Sequence, residues 1–175
     1  MAFESVKRLF RPDPLRPVAD RLYADCVSAA RQPAFYTDLG VPDTMPGRYD
    51  MLMLHVFLVV RRLSRGGERD PLGQAVFDRM MRDLDDTYRE EGFGDSKVAR
   101  RVREGAEHFY GRALAYRLAL DSADDVALAN ALARNVYGSE GEPGAKALAD
   151  HVRRIDALLD EASLRNGRAA FPAPR

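Results

Sequence analysis

The chain has 175 residues, of which 46% are hydrophobic and 31% are charged, and these proportions are typical of a folded domain rather than a disordered segment. Its 27 Lys and Arg residues balance its 27 Asp and Glu residues, so no global positive field attracts nucleic acid and only a local basic patch is left as a route to it. Cys26 is the only cysteine, which excludes an internal disulfide and a cysteine-based zinc site.

The first ten residues combine apolar and basic side chains at helical spacing. A short basic amphipathic segment of this kind either rests on an anionic membrane surface or packs back on the domain as an ordinary first helix. The candidate membrane-contact residues are Phe3, Lys7, Arg8 and Phe10. We therefore treat residues 1–13 as a separate amphipathic segment and leave both positions open.

Residues 14–165 are predicted to form an all-α domain, because Gly and Pro separate apolar stripes of helical period and no strand pattern of useful length occurs. The predicted helices contain Val18–Ala29, Arg48–Arg65, Asp70–Tyr88, Asp95–Leu120, Ala129–Val136 and Pro143–Ala162, with a short helical turn over residues 33–39. The segment Arg48–Arg65 is apolar on almost all sides, which indicates the central helix of a single compact, bundle-like domain of six to seven helices. Residues 166–175 are predicted to form a flexible tail.

No apolar run in the sequence is long enough to cross a bilayer. The longest, Met51–Val60, is about half of the ~20 residues that a membrane span requires. The first ten residues also lack the apolar core of a secretory signal. We therefore expect a cytoplasmic protein whose contact with a membrane is peripheral.

The sequence offers little support for catalysis. None of the three histidines lies in a Glu-x-x-His pair, the unit from which helical bundles build carboxylate-bridged metal sites. Glu104 precedes His108 by one helical turn, but a pair on one helix needs further ligands, and a solvated helix face is the simpler interpretation. Nucleophile elbows, phosphate loops and dinucleotide fingerprints are absent. We therefore expect a protein that is not an enzyme and has no metal and no cofactor.

Several residues of the predicted longest helix suggest a binding surface. Gly105 and Gly111 each cost about 1 kcal/mol relative to alanine inside a helix, which indicates close approach by a neighbouring helix or by a ligand chain. Tyr110, Arg112 and Tyr116 lie near them, and aromatic and arginine side chains are typical of protein-contact hot spots.

His55, inside the apolar run, is open to two interpretations as well. It is either a core histidine hydrogen-bonded to a neighbour or part of a groove in which an apolar client segment lies. The methionines around it suit the second interpretation, because flexible thioethers adapt to varied apolar surfaces.

Several blocks of the sequence resemble those of the ubiquinol–cytochrome c chaperone family. The blocks are Arg31-Gln-Pro-Ala-Phe-Tyr36, Leu39-Gly-Val-Pro-Asp-Thr44, Gly47-Arg-Tyr-Asp-Met-Leu-Met-Leu-His55 with Arg61-Arg62-Leu63, Phe109-Tyr-Gly-Arg112 through Tyr116, and Ala133-Arg-Asn-Val-Tyr-Gly138. They occur in the expected order over roughly residues 14–140. The final helix and both ends of the chain are less informative.

The resemblance implies an all-helical, non-catalytic chaperone that holds newly made cytochrome b during the assembly of respiratory complex III, in mitochondria together with a small helical partner. The chain begins directly at the domain, as we expect of a bacterial form, and this departure leaves open whether the partner is needed. The matched blocks supply the candidate client-binding residues Arg48, Asp50, His55, Tyr110, Arg112, Tyr116, Asn135 and Tyr137.

Two alternatives stand beside this hypothesis. One is a helical adaptor that uses the same surface for a different membrane-associated partner. The other, a small helical enzyme or a haem or metal binder, requires a concave polar pocket that holds His55, His108 or His151 beside carboxylates.

Overall fold

The computed structural model describes residues 13–65, 69–122, 124–139 and 141–174. The candidate membrane-contact residues Phe3, Lys7, Arg8 and Phe10 lie outside these ranges, so the membrane contact stays a prediction.

In the described ranges the chain is all-α, with six helices of eight residues or more and two shorter ones. The elements in chain order are α1 (Arg16–Ala30), α2 (Ala34–Thr37), α3 (Met45–Leu63), α4 (Pro71–Glu90), α5 (Asp95–Asp121), α6 (Asp125–Leu132), a π-helical turn (Ala133–Tyr137), α7 (Pro143–Leu158) and α8 (Glu161–Arg165). The prediction of a compact all-α domain is confirmed.

Helix starts follow the capping residues that the sequence provides. The Asp70 carboxylate accepts hydrogen bonds from the backbone N–H groups of Leu72 and Gly73, and Pro71 occupies the first helical position, where its missing N–H is not needed. The Thr44 hydroxyl caps α3 in the same way by accepting from the Gly47 N–H. The predicted start of α4 at Asp70 is therefore confirmed by its cap geometry.

Helix α3 is the centre of the domain, as its apolar sequence predicts. Met51, Val56, Leu58 and Val59 on different sides of the helix are all fully buried. Helices α1, α4, α5, α7 and α8 and the π-helical turn all contact it. A helix surrounded on all sides must be apolar on all sides, which explains the pattern. Within the described residues, no helix is long and apolar enough to span a membrane.

The last predicted helix is interrupted in the structure. Helix α7 ends at Leu158, and Leu159 adopts an extended conformation with φ −60° and ψ 121°. The Asp160 side chain then accepts from the Ser163 N–H and caps the short helix α8. Leu159 is still buried, so the apolar spacing continues across the break and conceals it from a periodicity analysis.

The described residues beyond 165 lie against the core. The Ala169 N–H donates to the Asp25 carboxylate over 2.8 Å, and the Phe171 ring lies 5.0 Å from the His55 ring. This packing differs from the flexible tail expected from the small residues and prolines, which carry no helical signal but can still fill space against α1 and α3. The three predicted segment boundaries themselves stay predictions.

Candidate functional site

A groove of about 1460 Å³ opens between α1, the first part of α3, α4 and α5. Four helices line it because α3 begins beside α1 while α4 and α5 pack on its other sides. Charged and aromatic side chains from all four helices share its surface: Asp20, Tyr23, Arg48, Tyr49, Asp50, Arg79, Asp83, Tyr88, Arg101, Glu104, His108 and Arg112. The groove therefore presents both signs of charge beside aromatic surface.

An ion pair between α3 and α5 forms one wall of the groove. Arg112 Nη2 lies 3.0 Å from Asp50 Oδ1, and the two side chains are only 22% and 14% exposed. The same guanidinium donates to the Asn135 carbonyl over 3.3 Å and contacts the Met53 sulfur at 3.7 Å. Burial raises the pKa of Asp50 to about 6, and the positive charge of Arg112 opposes that rise. The Asp50 carboxylate is therefore only partly solvated, which disfavours its charged form.

The groove also holds two polar atoms without hydrogen-bond partners. The Tyr49 hydroxyl and the Arg101 Nε are buried, and neither has a partner among the described residues. The Arg101 guanidinium lies over the rings of Tyr88 and Phe93, at 5.5 and 5.0 Å from their centroids. Burial also raises the pKa of Tyr49, so its hydroxyl keeps its proton and is available as a donor.

Tyr49 and Arg101 are not among the residues predicted from the sequence. A signal existed for Tyr49, which stands between Arg48 and Asp50 in a matched block. No comparable signal marks Arg101, because one arginine among many on a helix surface does not reveal that its neighbours bury it.

A second polar network closes the opposite side of the groove and joins α1 to α4. The Tyr23 hydroxyl donates a hydrogen bond to the Asp83 carboxylate over 2.8 Å. The Arg79 guanidinium lies 3.3 Å from both Asp20 and Asp83 and 4.9 Å from the Tyr23 ring centroid. These groups pair with one another. Of the groove-lining residues, it is Tyr49 and Arg101 that carry buried donors without a partner among the described residues.

Three of the predicted site residues, Arg48, Asp50 and Arg112, meet at the groove. Arg48 is half exposed, pairs with Asp43 and lies 5.4 Å from the Tyr36 ring centroid. Because these residues come from α3 and α5, their proximity depends on the packing of two helices that are separated by α4 in the chain.

Three other predicted residues lie elsewhere. Tyr110 is 49% exposed on a different side of α5, where its ring lies 5.2 Å from that of Phe77. Tyr116 is 2% exposed and packs against Phe57, and His55 is 1% exposed. A direct contact of Tyr116 or His55 with a client would require the core to open.

Asn135 and Tyr137 have supporting positions. The Tyr137 hydroxyl donates to the Leu39 carbonyl over 2.8 Å, which fixes the segment before α3. The Asn135 side-chain amide donates to the Ala131 carbonyl, and the backbone carbonyl of Asn135 accepts from Arg112. Asn135 and Tyr137 therefore do not line the groove but contact residues next to its wall.

His55 is a core histidine with a hydrogen bond. Its Nδ1 lies 2.8 Å from the Met51 carbonyl, and its ring packs edge-on against Phe35 and Phe171. His151 also packs edge-on against Phe35, with the ring centroids 5.3 Å apart. Burial lowers the pKa of both imidazoles to about 4, so both are neutral near pH 7.

The enzyme or metal-binder alternative requires a histidine beside carboxylates in a polar pocket. His108 does line the groove with Glu104, one helical turn away on the same helix. No hydrogen bond or ion pair joins the two side chains. In the ranges that the structure describes, no three His, Cys, Asp or Glu side chains are grouped so that they could hold a metal ion.

The two glycines of α5 have different surroundings. A Cβ on Gly105 would lie 2.7 Å from Cδ2 of Leu84, so close packing of α4 accounts for this glycine. A Cβ on Gly111 would meet nothing within 4 Å. Gly111 is therefore an exposed helix glycine that no contact with the described residues explains.

Comparison with known proteins identifies the family. The family model of the ubiquinol-cytochrome C chaperone matches residues 37–171. The chain belongs to this family. The resemblance that the sequence blocks indicate is therefore confirmed, and the match continues through the last helices, where those blocks are least informative.

Two relatives agree with this assignment. The ubiquinol-cytochrome-c reductase complex assembly factor 1 of Xenopus laevis is 25% identical over 149 residues, which cover 83% of this chain and 74% of that protein. The crystal structure of the Cbp3 homolog from Brucella abortus is similar with a TM-score of 0.78 and 35% identity, over 98% of this chain and 97% of that one. The all-helical architecture is thus shared with a bacterial relative along nearly the whole length.

Proposed function

We propose that this family member is a non-catalytic assembly chaperone for respiratory complex III, and that it binds a segment of newly made cytochrome b in the groove between α1, α3, α4 and α5. Family membership supports the process, and the groove supports the mode of binding. The single observation that carries the proposal is a wide groove lined by residues that hold buried donors without a partner among the described residues.

The size of the groove suits a polypeptide rather than a small molecule. Small-molecule sites typically enclose about 300–1000 Å³. The groove here is about 1460 Å³ and is bounded by four helices. A segment of chain several residues long fits such a space, whereas a metabolite would leave most of it to water.

The chemistry of the groove suits a segment with exposed backbone carbonyls. A buried donor without a partner destabilises a folded protein by about 1–3 kcal/mol. The Tyr49 hydroxyl and the Arg101 Nε are two such donors in residues that line the groove, and a carbonyl of a bound segment would satisfy them once the side chains that cover these two atoms move aside. The Asp50 and Arg112 charges on the wall match a client segment that carries polar groups. We therefore favour an extramembrane or not yet inserted segment of the client over a membrane-spanning helix.

The client is a membrane protein according to the family resemblance, so we place the encounter at the cytoplasmic face of the inner membrane. The amphipathic segment at residues 1–13 would bring the protein to that surface. A small helical co-chaperone, as in the mitochondrial system, stays a prediction of the resemblance.

The test compares Tyr49, which lines the groove and whose hydroxyl has no partner among the described residues, with Tyr137, which does not line it and whose hydroxyl is hydrogen-bonded. Tyr49→Phe removes a hydroxyl without a partner, so the stability of the free protein should be unchanged or higher. Binding to newly translated cytochrome b should fall about 2- to 10-fold, the equivalent of one hydrogen bond. Tyr137→Phe removes a hydroxyl bonded to the Leu39 carbonyl, so stability should fall and binding should persist.

The same variants are then introduced into a host that lacks the gene. Cytochrome b spectra and blots of complex III subunits report the outcome, with cytochrome oxidase as the control. Loss of cytochrome b that wild-type protein restores and Tyr49→Phe restores poorly supports the proposal. Normal complex III in the deletion host contradicts the client assignment and favours the adaptor hypothesis, while equal binding by both variants contradicts the role of the groove.

A further inference from the structure

The outward face of α5 carries one stripe of exposed side chains. Arg103, Glu107, Tyr110, Leu114, Arg117 and Asp121 are all exposed. Their spacing alternates between four and three residues, which is the heptad spacing of a coiled-coil seam and gives a stripe about 27 Å long. Tyr110 and Leu114 at its centre are both 49% exposed, and Leu118 beside them is 59% exposed. We call these six residues the α5 seam.

The α5 seam is separate from the groove. The α5 residues that line the groove, such as Glu104, His108 and Arg112, point about 140° away from the centre of the seam when projected along the helix. The core side of α5, which contains Phe109 and Tyr116, points in a third direction. A partner on the seam would therefore leave the groove open.

The order of charges along the seam makes it complementary to itself. Read from the first residue to the last, the seam is basic, acidic, apolar, apolar, basic and acidic. In an antiparallel pair of α5 helices centred on Arg112, Tyr110 of each copy faces Leu114 of the other. Glu107 then faces Arg117, and Arg103 faces Asp121. Every layer joins two apolar side chains or two opposite charges.

Other arrangements of two copies are disfavoured by the same charges. A parallel pair places identical seam positions opposite each other, so Glu107 would meet Glu107 and Arg117 would meet Arg117. An antiparallel pair shifted by one heptad places Glu107 against Tyr110 and Arg103 against Leu114, or Leu114 against Arg117. Only one orientation and one register satisfy all six residues.

Within a single copy the seam charges are largely unused. Among the described residues, Arg103, Glu107 and Arg117 form no ion pair. Asp121 pairs with Arg61 at 2.8 Å but is 56% exposed and retains room for a second partner. Gly111, whose Cβ would meet nothing within 4 Å, lies beside the midpoint and allows the backbones of two helices to approach closely.

We propose that two copies of this chain associate through their α5 seams as an antiparallel, two-fold symmetric helix pair. The partner that the seam recognises is a second copy of itself, and the dimer carries two grooves that face away from the shared seam. This proposal does not depend on what the groove binds.

The test measures the mass of the full-length protein by sedimentation at concentrations up to about 1 mM, the range in which weak interfaces become populated. Wild-type protein should pass from the 19.6 kDa monomer to the dimer as concentration rises. Leu114→Arg should raise the dissociation constant at least about tenfold, because it places a charge in the apolar layer. All variants alter exposed residues, and circular dichroism checks that each is folded.

A charge exchange tests the register. Glu107→Arg alone and Arg117→Glu alone each create two like-charge layers, so each variant should be monomeric. An equimolar mixture should dimerise, because arginine at both positions of one chain then faces glutamate at both positions of the other. A wild-type monomer at every concentration, a dimer that Leu114→Arg does not weaken, or a mixture that stays monomeric would each overturn the proposal. So would a seam that binds only a different protein.

Discussion

The raised pKa of Asp50 predicts that the negative charge of this side chain destabilises the fold, and this prediction can be tested. Burial raises its pKa from the ordinary value of 3.8 to about 6 in spite of the Arg112 guanidinium 3.0 Å away. Asparagine has nearly the same shape, carries no charge and presents a neutral amide oxygen to Arg112 in place of the carboxylate. Asp50→Asn therefore removes the charge and leaves the packing of the groove wall in place.

The sign of the effect follows from proton binding. Between pH 3.8 and about 6 the folded state holds the Asp50 proton more tightly than the unfolded state, so the free energy of unfolding falls as the pH rises through this window. The full difference corresponds to about 3 kcal/mol at 1.36 kcal/mol per pH unit. Asp50→Asn should therefore match the wild type at about pH 4 and exceed its stability by up to about 3 kcal/mol at about pH 7.5.

Urea denaturation of both proteins at the two pH values provides the assay. The difference between wild type and variant isolates Asp50, because the other titrating groups contribute equally to both. A variant that is less stable than the wild type at about pH 7.5, or equally shifted at both pH values, would refute the reasoning. If the variant is also impaired in client binding, the charge is retained for function at the expense of stability.

Three further predictions concern the fold. Gly111→Ala should raise the free energy of unfolding by about 0.5–1 kcal/mol, because nothing lies within 4 Å of its Cβ position and alanine favours the helix. Gly144→Ala should lower it by about 1–3 kcal/mol, because its Cβ would lie 2.0 Å from the Leu39 carbonyl oxygen; equal effects at the two glycines in chemical denaturation would contradict both. The neutral His55, whose pKa is lowered to about 4, should make the protein less stable as the pH falls from 6.5 towards 4. His55→Leu should reduce this loss in the free energy of unfolding by up to about 3 kcal/mol over the same pH range. An unchanged loss would contradict the burial argument.

Features that depend on local chemistry could be predicted from the sequence. Asp70 followed by Pro71 specifies a helix start through a side-chain cap and a missing N–H, and both are local properties. The central position of α3 could be predicted because an apolar surface on every side has only one stable environment. The break at Leu159 was harder to predict, although Asp160 is a typical capping residue, because the apolar spacing continues past it.

The members of the groove could not all be predicted, because they meet only after packing. Tyr110 and Tyr116 are the same type of residue on one predicted helix, yet Tyr116 is in the core and Tyr110 is half exposed. The apolar spacing of α5 does indicate the inward side that carries Phe109 and Tyr116, but which of the remaining sides lines the groove depends on how α3 and α4 pack against this helix. Tyr49 and Arg101 become noticeable only when burial leaves their polar atoms without partners.

The contact between Ala169 and Asp25 has a consequence for the order in which the domain can form during synthesis. The two residues are 144 positions apart in the chain, and the later one holds the helix that forms one wall of the groove. At about 5–20 residues per second, a ribosome needs roughly 7–30 s to bridge that distance. Throughout this interval α1 has emerged without its final neighbour. The residues that line the groove all lie between positions 16 and 112, so the groove can form before this contact, and the bond to Asp25 is a late step that fixes the C-terminal segment on α1.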